Sequence, residues 1–395
     1  MRISTVGFQN DAVAQMQALE SAIAKTQSEL STGLQIQNAA DNPTGMAQVN
    51  ELNVELSASQ QYVTNGNAAS ANMKLEEQAL TQANTVLQSA QDLAVQANNS
   101  SLSAAERQNI AAQLQQQLQE LVGIANSTDS NGNYLFGGYA SSAQPFAQAG
   151  NAVSYVGADA VNQIQISADQ RISAGDTGAS VFMNNPAGNG TFTTAAGASN
   201  TGTGSIDAGS VTSPAAWVAG TYTISFTSPT AYQVTNSADA VVTSGTYTSP
   251  GTIAFDGVQV TVSGAPAAGD TFTLAPAGAA SVFSTLSNLI TTLSSTTLNQ
   301  GQLTTQINGA LEQLGGAITN VDNVQASVGA RIDAINSSQS TAQSDQTELQ
   351  SSISQLSDVD YTAATTQLST EEVGLQAAQE SYASLAKLSL FNYLD

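Results

Sequence analysis

The chain has 395 residues, no cysteine and no histidine, and 30 acidic against 7 basic side chains, for a formal net charge of −23. Disulfide and thiol chemistry and histidine-based acid–base or metal chemistry are therefore excluded, and the cations are too few to neutralise a nucleic-acid backbone or hold an anionic membrane surface. Charged residues make up only 9% of the chain, so solubility rests on Asn, Gln, Ser and Thr, which suits an extracellular or self-assembling protein.

The length predicts two or three domains. The opening residues, MRISTVGFQNDAVAQMQALE, carry one Arg but no apolar core of the kind a secretory signal needs. No run of about 20 apolar residues is present, so no membrane span is expected.

From Met16 an apolar seam runs through Leu19, Ile23, Thr26 and Leu30 at spacings of three and four, a heptad rhythm. This helix is predicted to stop at Thr32-Gly33, where glycine takes the left-handed cap. Asp41 or Asn42 is suited to cap the next helix, and Pro43 fits its first turn. A second helix is predicted over 44–97, with a stripe of Leu52, Leu56, Val63, Leu75, Ala79, Val86, Leu93 and Ala97. At roughly 50 residues it would be about 80 Å long, which predicts a rod. Ser103 and Glu106 form a capping-box pattern for a third helix to about Asn126, buried through Leu114, Leu118, Leu121 and Val122.

The middle is different in kind. No leucine occurs between Gly137 and Thr273, and residues 137–280 hold seven of the eight prolines. Alternating or clustered β-branched and aromatic residues predict strands in 151–157, 161–168, 222–228, 232–234, 252–262 and 271–274. Asp256-Gly257 is a hairpin turn. Residues 184–213 read as a decorated loop or as short hairpins. Trp217 reads as core of the β part.

After Pro276 the helical character returns. A helix is predicted over about 281–292, then a longer one from Leu303 through Leu368 to Leu390. Leu314, Ile318, Val321, Val328, Ile332 and Ile335 mark its apolar face, continued by Leu349, Ile353 and Leu356. Leu368, Leu375 and Tyr382 fall seven apart. The predicted fold is α+β, a long antiparallel helical rod or bundle from both chain ends with an inserted, mainly β outer domain. The expected divisions are 1–43 (assembly helix and turn), 44–136 (rod), 137–280 (outer domain), 281–359 (rod) and 360–395 (assembly helix). The terminal seams must be buried against something. Either they complete one intramolecular bundle or neighbouring subunits cover them. The residues assigned to an assembly seam are Met16, Leu19, Ile23, Leu30, Leu368, Leu375, Tyr382 and Leu385.

No catalytic constellation is found. Glu76-Glu77 and Glu371-Glu372 are adjacent on helices, so each pair is read as a solvated face and not as an acid–base dyad. No serine sits in a GxSxG pattern. Residues 129–133 (DSNGN) lack the ligand pattern of a calcium loop and read as an Asn/Gly turn. No nucleotide motif is present, so neither cofactor nor metal is expected. In NGNYLFGGY (131–139), Tyr134, Leu135 and Phe136 are expected to wedge into the domain junction, with Gly137 and Gly138 allowing tight turns.

These blocks carry a resemblance. MRIST and LSTGLQIQNAADNPTG (30–45) resemble the flagellin superfamily. NSTDSNGNYLFGGYASSAQPF (126–146) and YASLAKLSLFNYL (382–394) are similar to its hook-associated protein 3 branch, the hook–filament junction proteins, which also commonly carry sequence like GDTGASVF (175–182). Flagellin is the near alternative, but it usually has RLSSGLRINSAKDDAAG where this chain has ELSTGLQIQNAADNPTG, and it lacks the NYLFGG block. The resemblance implies a structural role in the bacterial flagellum. It implies export, without a cleaved signal peptide, through the flagellar type III apparatus with the aid of an export chaperone. It further implies self-association in a ring between hook-associated protein 1 and flagellin, with terminal segments forming coiled coils on assembly. A filament subunit, or a secreted adhesin using residues 140–275, are the competing expectations.

Overall fold

The computed structural model describes residues 5–387, excepting the side chains of 5, 6, 8 and 385–387. The helices are α1 (Thr5–Thr32), α2 (Pro43–Ala97), α3 (Ala104–Ala125), α4 (Val282–Ser294), α5 (Gln300–Ser357) and α6 (Tyr361–Lys387). Among the described residues every strand lies between α3 and α4, so the fold is α+β, with helices from both chain ends and an inserted, mainly β part. The chain divides into two compact units, Met1–Thr64 with Ser338–Asp395, and Asn65–Ser337.

Local chemistry sets several of the helix ends. Gly33, at φ +75°, closes α1 and donates its N–H to Glu29 O at 2.8 Å. Asn42 Oδ1 accepts from Gly45 N at 2.9 Å ahead of α2, where Pro43 is the first helical residue. Ser103 and Glu106 complete the capping box of α3, with Ser103 N donating to Glu106 Oε2 at 2.8 Å and Glu106 N to Ser103 Oγ at 3.3 Å.

One expectation needs correction. The long C-terminal helix is broken at residues 358–360. Asp360 caps a new helix there, its Oδ1 accepting from Thr362 N at 2.9 Å and Ala363 N at 3.1 Å. The backbone on either side is drawn into bonds with the turn after α1. Gln35 N donates to Ser357 O at 2.7 Å and Val359 N to Gly33 O at 2.9 Å. Those bonds replace the helical ladder at the break.

In the first unit, the start of α2 and the end of α5 run antiparallel, with Ser59 Oγ donating to Ala342 O at 3.1 Å. In the second unit the same two helices remain antiparallel. Gln325 Nε2 donates to Thr81 Oγ1 at 2.8 Å and Asn98 Nδ2 to Asn308 Oδ1 at 3.0 Å. With α3 and α4 they enclose one apolar core, in which Leu80, Leu87, Leu114, Leu118, Leu286 and Leu314 are all fully buried. Leu75, placed on the α2 stripe from sequence, lies outside this core and is exposed. Met73 fills that turn instead, seven residues before Leu80.

The β part contains two small hairpins and a sandwich. The hairpins are β1 (Phe146–Ala149) with β2 (Ala152–Tyr155), and β3 (Gln163–Gln165) with β4 (Arg171–Ser173). β5 (Asn185–Pro186) pairs with β15 (Ala279–Ala280), where the chain leaves the helices and returns. Between them run β6 (Phe192–Ala196), β7 (Ser205–Ile206), β8 (Ser210–Val211), β9 (Tyr222–Ser228), β10 (Ala231–Asn236), β11 (Val241–Thr246), β12 (Gly251–Phe255), β13 (Val258–Ser263) and β14 (Thr271–Pro276). One sheet has the order β11-β10-β9-β14-β6; the other is β12-β13-β7, with β8 also on β13. Inward residues alternate along the strands: Tyr222, Ile224 and Phe226 on β9, and Val258, Val260 and Val262 on β13. They form a second core, separate from the helical one. Asp256 (φ +42°) and Gly257 (φ +76°) make the expected turn between β12 and β13. Trp217 covers the edge of this core, half-buried against Phe192 and Tyr222, both 5.6 Å away between ring centroids.

The first turn of α5 anchors the sandwich. Gln302 Nε2 donates to the carbonyls of Gly197 and Ala198 at 3.0 Å, and Asn299 Nδ2 to Asn200 O at 2.7 Å. Ile206 N donates to Thr305 Oγ1 at 3.1 Å.

Candidate assembly seam and domain junction

α1 and α6 pack antiparallel in the first unit. Gly33 lies beside Tyr361, Thr26 beside Glu371 and Leu19 beside Gly374. Met16, Leu19, Ile23 and Leu30 share one face of α1, and Leu368, Leu375 and Tyr382 share one face of α6. Every one of these seven is half-buried; among the described side chains of α1 and α6, only Thr26 and Ala364 are buried. Two helices cover only part of each other's stripe, so the outer flank of each seam side chain remains open. Leu385 belongs to α6, but its side chain lies outside the described residues, as does most of the 382–394 block.

The LSTGLQIQNAADNPTG stretch holds the turn that joins α1 to α2, and it lies against the break between α5 and α6. After the Gly33 cap, Leu34 bridges to Asp358 and Ile36 is buried as a plug. Asp41 Oδ2 accepts from Asn38 N at 3.0 Å, and Asp41 Oδ1 lies 3.6 Å from Lys25 Nζ. Gly45 lets Ile36 approach: a Cβ there would stand 2.7 Å from Ile36 Cδ1.

The junction residues of 134–138 lie where the chain passes from α3 to the hairpins. Phe136 is fully buried and Tyr134 and Leu135 half-buried. Phe136 meets Phe182 edge-on at 5.2 Å, and Phe182 lies 5.7 Å from Phe146 and 5.8 Å from Phe283. One aromatic cluster therefore joins the 134–138 loop, β1, the π turn over Ala179–Met183 and α4. Gly138 (φ +60°) is required, since a Cβ would stand 2.3 Å from Ala158 O. Asp129 forms the expected turn, its Oδ1 accepting from Asn131 N and Asn133 N at 2.8 Å.

Glu77 is exposed, as a solvated face requires, but Glu76 beside it is not. Glu76 is 2% exposed on α2 and accepts from Asp176 N at 2.9 Å. Asp176 is ion-paired with Arg331 of α5, whose Nη1 donates to Gly175 O at 3.2 Å. Burial raises the Glu76 carboxyl to about 8, with the neighbouring Asp176 reinforcing the shift and Arg331 opposing it. No local pattern marks this site, because its three partners come from distant parts of the chain. Among the described residues, no group of three or more acidic side chains is placed to hold a metal ion, and no helix is long and apolar enough to cross a membrane.

The crystal structure of Xanthomonas campestris FlgL superposes with a TM-score of 0.72 at 33% identity, over 77% of this chain and 99% of that one. The chain belongs to the flagellar hook-associated protein 3 family. The structure of the flagellar junction protein FlgL from Legionella pneumophila agrees, with a TM-score of 0.67 at 30% identity over 73% of this chain and 99% of that one. Among curated relatives, flagellar hook-associated protein 3 of Salmonella typhimurium is 33% identical over 46% of this chain and 57% of its own length. The match to flagellin of Bacillus subtilis is 30% over 37% of this chain and 49% of its own. These alignments span about half the length of the curated relatives. Residues 3–141 match the bacterial flagellin N-terminal helical region and 311–394 the C-terminal helical region. Residues 195–276, the sandwich, match a D2-like domain of flagellar hook-associated protein 1. Within this family the α1/α6 seam, the 30–45 turn and the 134–138 junction all fall inside the two flagellin-type regions or their edges.

Proposed function

We propose that the protein is a structural subunit of the bacterial flagellum, an adaptor at the hook–filament junction that connects the ring of hook-associated protein 1 to the flagellin filament. The likeness to 99% of the Xanthomonas campestris FlgL chain at 33% identity carries this reading. The half-buried α1 and α6 seams support self-association in a ring. Met16, Leu19, Ile23, Leu30, Leu368, Leu375, Tyr382 and Leu385 would be covered by neighbouring subunits as coiled coils. A chain with 9% charged residues brings few like charges together when such contacts form. The Tyr134–Gly138 loop serves as the domain junction, and the sandwich is presented at the surface. Export through the flagellar type III apparatus, with a chaperone on the C-terminal helix, would deliver the chain outside the cell.

The similarity to flagellin favours one second reading, a filament subunit. Immunogold electron microscopy separates the two. A band at the hook tip is expected; label along the whole filament would exclude the junction role. A deletion strain is expected to make hooks, release flagellin monomers and lack filaments.

A further inference from the structure

The Glu76 site is unusual for a side chain with no catalytic task. Its carboxyl is taken out of water on α2, next to a second carboxyl, with one guanidinium to serve both. Gly175 is part of the fit: a Cβ there would stand 3.2 Å from Glu76 Oε2. The 174–178 loop thus lies directly on the buried acid. This loop leads into the π turn that carries Phe182, and from there the chain enters the sandwich.

Charge counting defines two states. With a proton on Glu76, the cluster of Glu76, Asp176 and Arg331 is neutral. Without it, two carboxylates share one cation in a nearly dry site, an arrangement that costs free energy unless one of them reaches water. We propose that Glu76, Asp176 and Arg331 form a proton-operated latch, which fastens the 174–178 loop to α2 and α5 while Glu76 is protonated and loosens it when Glu76 ionises.

Four charged or titratable groups face Glu76 or its cavity among the described residues. Asp176 comes from the loop and Arg331 from α5, and Asp129 and Tyr134 line the same cavity of about 370 Å³. The sign follows from linkage. Burial raises the closed-state Glu76 to about 8, while an opened, solvated carboxyl returns to its ordinary 4.5. The proton's contribution is fully present below about 4.5 and is lost as pH rises toward 8. Opening therefore becomes easier with rising pH across that window and levels off above it. The 174–178 loop is held most firmly in mildly acidic surroundings.

Hydrogen–deuterium exchange of the full-length protein from pH 5 to pH 9, corrected for the intrinsic pH dependence of exchange, tests this. The opening constant for amides of residues 174–183 is expected to rise by up to about tenfold per pH unit to about pH 8, then level off. Amides of β9 and β14 supply the internal reference and are expected to stay flat. The Glu76→Gln variant, which keeps the shape and cannot ionise, is expected to flatten the 174–183 response. A wild-type loop response no steeper than that of β9 and β14 overturns the proposal. So does a wild-type response that persists in a folded Glu76→Gln protein. If that variant does not fold, the wild-type comparison alone decides.

Discussion

Thr26 on α1 and Glu371 on α6 are 345 positions apart in sequence, yet Thr26 Oγ1 lies 3.1 Å from Glu371 Oε2 within the helix pair. Thr26 occupies a core position of the heptad rhythm and is 2% exposed. A polar residue at such a position favours one register over slipped alternatives. Thr26→Val keeps the shape and removes the donor. It is expected to destabilise the α1/α6 pair by about 1 kcal/mol. Thr26→Val with Glu371→Leu is expected to recover that loss while weakening register specificity. Denaturant unfolding followed by helical circular dichroism, with exchange mapping of residues 5–32, checks both.

Gly33 closes α1 at the turn that leads into α2. Its φ of +75° and the 3.1 Å approach of Tyr361 Oη to an added Cβ both oppose any side chain. Gly33→Ala is expected to cost about 1–2 kcal/mol. Limited proteolysis should then cut faster within residues 33–42, with cleavage in the sandwich unchanged.

Leu375 and Tyr382 provide the assembly test. Replacing both with Asp puts charges on a half-buried seam and leaves both cores of the second unit untouched. The variant is expected to keep the sandwich folded and to fail in restoring motility to a deletion strain. Normal swimming by that strain would rule out the seam as an assembly surface.

Phe182 tests the junction. It touches Phe136, Phe146 and Phe283 and is fully buried. Phe182→Ala is expected to cost about 3–5 kcal/mol. Calorimetry should show the loss in the transition that melts the helical core of the second unit.

Much was legible where structure depends on near neighbours. The Gly33 stop, the Asn42-Pro43 start, the Ser103/Glu106 box and the Asp256-Gly257 turn each involve residues a few positions apart. Their geometry follows from backbone preference and short side-chain reach. The main strands were legible because both sheets bury one face and force alternation. β11 has no legible strand signal, since at the sheet edge Val241 is exposed and its alternation is weak. β6 to β8 are short runs of mostly small residues, which carry little periodic signal and read equally as loop or hairpin.

The amino-acid sequence alone determined the division into helical ends and a leucine-free β middle, the caps and turns, and the absence of histidine and cysteine chemistry. Tertiary structure decided three further things: the break at 358–360, the pairing of Thr26 with Glu371, and the burial of Glu76 between Asp176 and Arg331. Each of these depends on chain segments far apart in sequence. Local propensity and periodicity report how a segment can fold, but only packing brings a distant backbone or charge close enough to change what a residue does.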